Sequence, residues 1–131
     1  MNKTFCILFM LAVFAPAVFA RDAIEDQRIA FLINSIAEMH DTTFIRNGSE
    51  YDAKHAADHL RLKLRFAGNQ VQTAEDFIVC CGTGSSMSGQ PYAIRFADGH
   101  IVRSADFLHA KLFEFHAPEP PAVPKADVSA H

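Results

Sequence analysis

Apolar and polar positions along this chain follow two rhythms, and each predicts a different element. From residue 22 to residue 40 the rhythm is helical. Ile29, Leu32, Ile33 and Ile36 recur at i, i+3, i+4 and i+7, which is one stripe of an amphipathic helix. Asp22, Glu25 and Asp26 lie near its start, where the unpaired N–H groups of a helix favour negative charge. Asp41, Thr42 and Thr43 break the pattern. Ser49 is expected to begin a second helix, because Ser49-Glu50-Tyr51-Asp52 places an acid three residues after a hydroxyl, close to a capping box. Ala53, Ala56, Ala57, Leu60 and Leu64 would form its buried stripe, small enough at the alanines to admit a close neighbour, and Gly68 would end it. Leu62 and Phe66 fall on the opposite face of the same wheel. Thr73-Ala74-Glu75-Asp76 opens a third helix in the same manner, with Phe77, Ile78 and Cys81 as its apolar face and Gly82 and Gly84 as its stop.

The rhythm then changes. Ser85 to Gly89 is polar and contains glycine, which predicts a loop. Tyr92, Ile94 and Phe96 alternate with Ala93 and Arg95, the period of a strand. Asp98-Gly99 is a turn signal, and Ile101 and Val102 can return as a second short strand. Ser104 is expected to cap a closing helix that carries Phe107, Leu108, Lys111, Leu112 and Phe115. An isolated hairpin is marginal in water, so this one must lie on the helices. The pattern as a whole predicts a mainly α, α+β domain: about four helices with one short β-hairpin packed on them. Phe31, Phe44, Phe77, Phe96, Phe107 and Phe113 are its main aromatic core candidates.

The two ends do not share this patterning. Residues 1–20, MNKTFCILFMLAVFAPAVFA, have Lys3, an apolar run from Phe5 to Phe14, Pro16, and small residues at Val18 and Ala20. That is the layout of a secretory signal peptide cut before Arg21. The run is about half of the roughly 20 residues needed to span a bilayer, so no transmembrane segment is expected in the mature chain. Residues 117–131 are rich in proline and poor in large apolar groups, which predicts a disordered tail. A single globular domain over 21–116 remains, with a periplasmic or secreted location.

Charge narrows the partners. The whole chain carries a formal charge of −3, and loss of Lys3 with the leader makes it more acidic. This gives no support for nucleic-acid binding, which wants a basic face. Cys80 and Cys81 are the cysteines outside the leader. Being adjacent, they are poorly placed to bridge each other, and they are expected to be one buried and one partly buried thiol. A zinc site would need more Cys or His at suitable spacing.

Two polar stretches are the candidates for function. Arg46 presents a planar fork of donors suited to a carboxylate or phosphate, Asn47-Gly48 can adopt left-handed turn conformations, and Ser49 would stand at a helix start with free N–H groups. Ser85, Ser86 and Ser88, with Tyr92 and Arg95, could line a second polar surface. Equally, Ser49 could simply cap a helix and the serines could bond their own backbone. A serine hydrolase would want Gly-x-Ser-x-Gly; Gly84-Ser85-Ser86-Met87-Ser88 ends in serine and misses it. His55 and His59 share a helix face with Asp52 nearby and could hold a metal weakly, but the His-Glu-x-x-His glutamate is replaced by Ala56. On a face turned from the alanine stripe, both histidines are expected to be solvated. Glu75 and Asp76 are better explained as helix-start acids than as a catalytic pair.

FIRNGSEYDA-x-x-AADHLRLKL, followed by TAEDFI and by SSMSG-x-PY-x-IRF-x-DG, resembles the YfeK-like family of small exported bacterial proteins, over about Ile24 to Leu112. The resemblance implies a periplasmic setting in a Gram-negative bacterium and brings no catalytic residues with it. In that pattern a cysteine often precedes Phe-Ile-Arg; Thr43 stands there in this chain. The expectation is therefore a non-catalytic binding or interaction protein without a cofactor. It would contact an anionic envelope ligand, a cell-wall component or an envelope protein through the Arg46 loop and the Ser85–Gly89 loop. A small envelope serine hydrolase is the alternative, with a weak His-based metal binder behind it.

Overall fold

The computed structural model describes residues 21–116; the expected leader and the expected Pro-rich tail lie outside the described residues. Helix α1 runs Ala23–Ala37, and the Asp22 carboxylate accepts from the Ile24 N–H at 3.0 Å to cap it. Its buried positions are Ile29, Leu32, Ile33 and Ile36, the stripe visible in the sequence.

The next segment departs from expectation. Thr43–Arg46 is a strand, β1, and Ser49–Tyr51 is a second, β2, paired antiparallel with it. Asn47 and Gly48 join them with φ of 50° and 76°. Two successive left-handed residues make the tight turn whose twist suits a hairpin, and glycine takes that conformation without strain. Ser49 is therefore a strand residue opposite Arg46, not a helix cap. The cap falls to Asp52, whose carboxylate accepts from the His55 N–H at 2.8 Å and starts helix α2, Ala53–Ala67. Gly68 ends α2 as expected.

Helix α3 is a single turn, Ala74–Phe77, with a complete capping box between Thr73 and Asp76. It widens into a π-helical segment, Ile78–Gly82. Thr83 donates its hydroxyl to the Ile78 carbonyl at 2.7 Å, which satisfies one of the acceptors at this irregular end. Strands β3, Ala93–Arg95, and β4, Ile101–Arg103, form the predicted hairpin. Helix α4 follows as Ser104–Glu114. Arg103 holds the cap position, and Ser104 is a buried first residue of the helix whose side chain caps nothing.

The two hairpins join through β1 and β3 into one antiparallel sheet of order β2-β1-β3-β4. The class is α+β as expected; the sheet has four strands where one hairpin was anticipated. Phe44 and Ile94, neighbours across β1 and β3, turn their side chains inward. They meet a core in which Leu32, Phe77, Ile78 and Leu108 are fully enclosed. The core contains Phe44 and Phe77; Phe31, Phe96 and Phe107 pack partly against it, while Phe113 is exposed and so is no core residue. Cys81 is buried. Cys80 is exposed, contrary to expectation, since it lies on the side of the segment opposite the buried Phe77, Ile78 and Cys81. Among the described residues no helix is long and apolar enough to cross a membrane.

Candidate functional site

A cavity of about 310 Å³ opens between α2 and the inner face of β1 and β2. Its inner end is made by Ile36, Phe44, Leu60 and Ser104, all buried. Ala56 contributes too little bulk to fill the space from the helix side. Its outer wall is polar, and the strand period explains why. Phe44 and Arg46 are two apart on β1, so they share a face. Tyr51 pairs with Phe44 and joins them there. His59 and Tyr92 complete the wall.

These groups bond to one another. Arg46 Nη1 lies 2.8 and 2.9 Å from the two ring nitrogens of His59, and Nη2 donates to the Tyr51 hydroxyl at 3.0 Å. The guanidinium carbon stands 4.8 Å from the Tyr51 ring centre. His59 Nε2 is 3.2 Å from the Tyr92 hydroxyl, to which Lys63 Nζ also donates at 3.2 Å. Lys63 donates again to the Gly84 carbonyl at 2.9 Å.

Arginine can only donate, so His59 facing it must be the neutral imidazole. The electrostatics agree. Burial, and then the charges of Arg46 and Lys63, push the His59 pKa below its ordinary value. The Arg46 hydrogen bond likewise lowers the Tyr51 phenol. Neither Arg46 nor Lys63 has a carboxylate partner among the described residues; both donate only to uncharged acceptors. Asp58, on the rim of the cavity, is already held by Lys54 and Arg61, each at 2.9 Å. The lining therefore carries Arg46 without a carboxylate partner and Asp58 already paired on the rim, while Lys63 stands behind Tyr92, bonded to its hydroxyl.

The serine loop stands beside this wall. Asn47 donates to Ser85 Oγ at 3.2 Å and accepts from the Ser88 hydroxyl, so the β1–β2 turn is clasped to the loop. Ser85 Oγ also accepts from the backbone N–H groups of Met87 and Ser88. The loop base closes through the Ser85 N–H on the Gln90 carbonyl, where Gly84 faces Pro91. A Cβ on Gly84 would come within 2.7 Å of the Gln90 carbonyl oxygen, so glycine is required for this approach.

The eight residues singled out in the sequence thus separate. Arg46 and Tyr92 line the cavity. Asn47, Ser85 and Ser88 form the clasp beside it. Ser86 is exposed and makes no such contact. Ser49 is an exposed strand residue. Arg95 lies on the other face of the sheet and pairs with Glu50 at 2.6 Å. Sequence reasoning missed Lys63 altogether and took His59 for a solvated residue. The hint available was spacing: His59 and Lys63 are one helical turn apart and share a face. His55 borders the cavity at its exposed edge, where its ring rests on Asp52 at 2.7 Å. Among the described residues no group of three His, Cys, Asp or Glu side chains is placed to hold a metal, and no histidine hydrogen-bonds to Ser85, Ser86 or Ser88.

No solved structure matches this chain. A protein of Salmonella typhimurium described as "Uncharacterized protein YfeK" is 39% identical over 92 residues, covering 70% of this chain and 77% of its own length. Residues 23–116 match the family of unknown function DUF5329. That span takes in α1 through the end of α4 with the whole cavity wall, and the chain is a YfeK-like member of the DUF5329 family.

Proposed function

We propose that this protein is a non-catalytic binding module of the bacterial periplasm that holds a small anionic ligand in the cleft between α2 and the sheet. One observation carries the reading: Arg46, partly withdrawn from water, lines an open cavity with no carboxylate among the described residues bonded to it, and Lys63, equally without a carboxylate partner, backs the same wall through the Tyr92 hydroxyl. A cation drawn away from water gains most from an anion brought to it. Arg46 supplies a planar fork and Lys63 a point charge, while the Tyr51 and Tyr92 hydroxyls can add hydrogen bonds to the same oxygens. The leader-like residues 1–20 support export.

Titration calorimetry of the chain from Arg21 onward with benzoate and with inorganic phosphate, at low salt, tests the reading. At least one anion should bind, and Arg46→Met should weaken it about tenfold or more, the worth of one charged hydrogen bond. Absence of binding by both anions, or equal binding by Arg46→Met, would sink the proposal. A fluorophosphonate probe addresses the hydrolase alternative: the binding reading expects Ser85, Ser86 and Ser88 to stay unlabelled.

A further inference from the structure

We infer that the ligand of this cleft is a single-chain aliphatic carboxylate, its head held by Arg46 and the tyrosine hydroxyls, with the Lys63 charge close behind Tyr92, and its chain laid into the cavity. The inference rests on the binding reading above and adds the chemistry of the ligand's body. An anion that needed only the cations would need no room behind them. Here the room exists. The space of about 310 Å³ would hold on the order of ten water-sized groups. Its walls are mainly aliphatic and aromatic: Ile36, Phe44, Ala56 and Leu60. Water confined against such walls has few partners, so an alkyl chain that displaces it is favoured.

The arrangement is also polarised. Arg46 lies on one wall and is linked through His59 and the Tyr92 hydroxyl to Lys63 behind it, Asp58 on the rim is paired by Lys54 and Arg61, and the inner end offers a single hydroxyl, Ser104. A ligand charged at both ends would bury one charge among Ile36 and Leu60 with nothing to pair it, at a large cost. A neutral alkane would leave Arg46 and Lys63 unpaired. A monocarboxylate with one unbranched tail satisfies both ends. It is also slender enough for a slot bounded by a helix on one side and a sheet on the other.

The test is a calorimetric series of acetate, butanoate, hexanoate and octanoate against the chain from Arg21 onward, with 1-octanol as the uncharged match. Affinity should rise by about fourfold for each added methylene until the cavity is full. Octanoate should bind at least about tenfold more tightly than 1-octanol, and Lys63→Met should narrow that gap. Ala56→Leu, checked for folding by thermal melting, should flatten the dependence on chain length because the new side chain occupies the slot. Benzoate or phosphate binding with no gain along the carboxylate series would overturn this inference and leave the anion-binding reading standing. Octanol binding as tightly as octanoate would overturn it through the head group. Silence from every anion would remove both. If Ala56→Leu fails to fold, the series on the unaltered chain decides alone.

Discussion

The two flanks of α2 are filled very differently. On the flank facing α1 and the π-helical segment, Ala53 and Ala57 belong to the enclosed core, and Ala57 is wholly hidden from solvent. On the flank facing the sheet, Ala56 looks into a cavity. The same small side chain gives close packing in one direction and open space in the other. The opposing element decides which. A neighbouring helix can settle against an alanine, whereas here the sheet side meets α2 through the long side chains of Arg46, Tyr51 and Tyr92. Arg46 and Tyr92 bond to His59, Tyr92 also to Lys63 and Tyr51 to Arg46, so this bonded row stands between the two elements. Small residues permit an approach; they do not produce one.

The sharpest way to break this contrast is to remove bulk from the filled flank. Phe77 is fully buried among the helices, and Phe77→Ala should cost about 3–5 kcal/mol in urea unfolding. Ala56→Leu, on the hollow flank, should change stability by less than about 1 kcal/mol, since the added carbons enter existing space. Similar losses for the two variants would mean the flanks are not different. Gly84→Ala tests the clasp beside the cleft. Its Cβ would collide with the Gln90 carbonyl and displace the carbonyl that Lys63 binds, for a loss of about 1–3 kcal/mol and a weaker anion response. A smaller effect of opposite sign is expected at Thr42, whose buried hydroxyl has no hydrogen-bond partner. Thr42→Val should raise stability by up to about 1 kcal/mol, because an unsatisfied polar group is removed at nearly constant shape.

The smallest expected effect is that of pH. His59 is held below its ordinary value of 6.5, first by burial and then by Arg46 and Lys63. As pH falls through 6.5 the unfolded chain takes up a proton that the folded protein refuses, so stability declines until the folded-state value is passed. The loss should stay under about 1 kcal/mol, since the ring is partly exposed and solvent screens its neighbours. The depressed carboxylates Asp52, Asp58, Asp76 and Asp98 act in a separate window, below their ordinary 3.8. Thermal unfolding from pH 7.5 to pH 5 should therefore show a shallow slope that His59→Gln flattens; an unchanged slope would mean His59 is not the group responsible.

Local signals in the sequence announced α1, the Gly68 stop, the Thr73 capping box and the β3–β4 hairpin. Each depends on neighbours within a turn or two. The segment around Asn47-Gly48 carried two local signals in conflict. Thr43-Phe44-Ile45-Arg46 alternates and is followed by a strong hairpin dipeptide, yet Ser49-x-x-Asp52 imitates a helix start. The hairpin prevails because β1 finds a second partner in β3, nearly fifty residues on, and no local pattern reports that pairing. The cleft was legible in part for the same reason. Arg46 and Tyr92 stand out by residue type, but what makes them a wall is contact with His59 and Lys63 across the fold. Arg95, equally conspicuous in the sequence, falls one residue out of phase with Ile94 and so lands on the opposite side of the sheet.

Met87 stands almost free in solvent at the tip of the serine loop, with its neighbours Ser85 and Ser88 tied to Asn47 and thus to the strand that bears Arg46. Its side chain lies outside the cleft, while the loop that carries it is fastened to the turn just after Arg46. Isotopic labelling of its methyl group would turn the residue into a remote gauge, registering occupancy next door while obstructing nothing that enters.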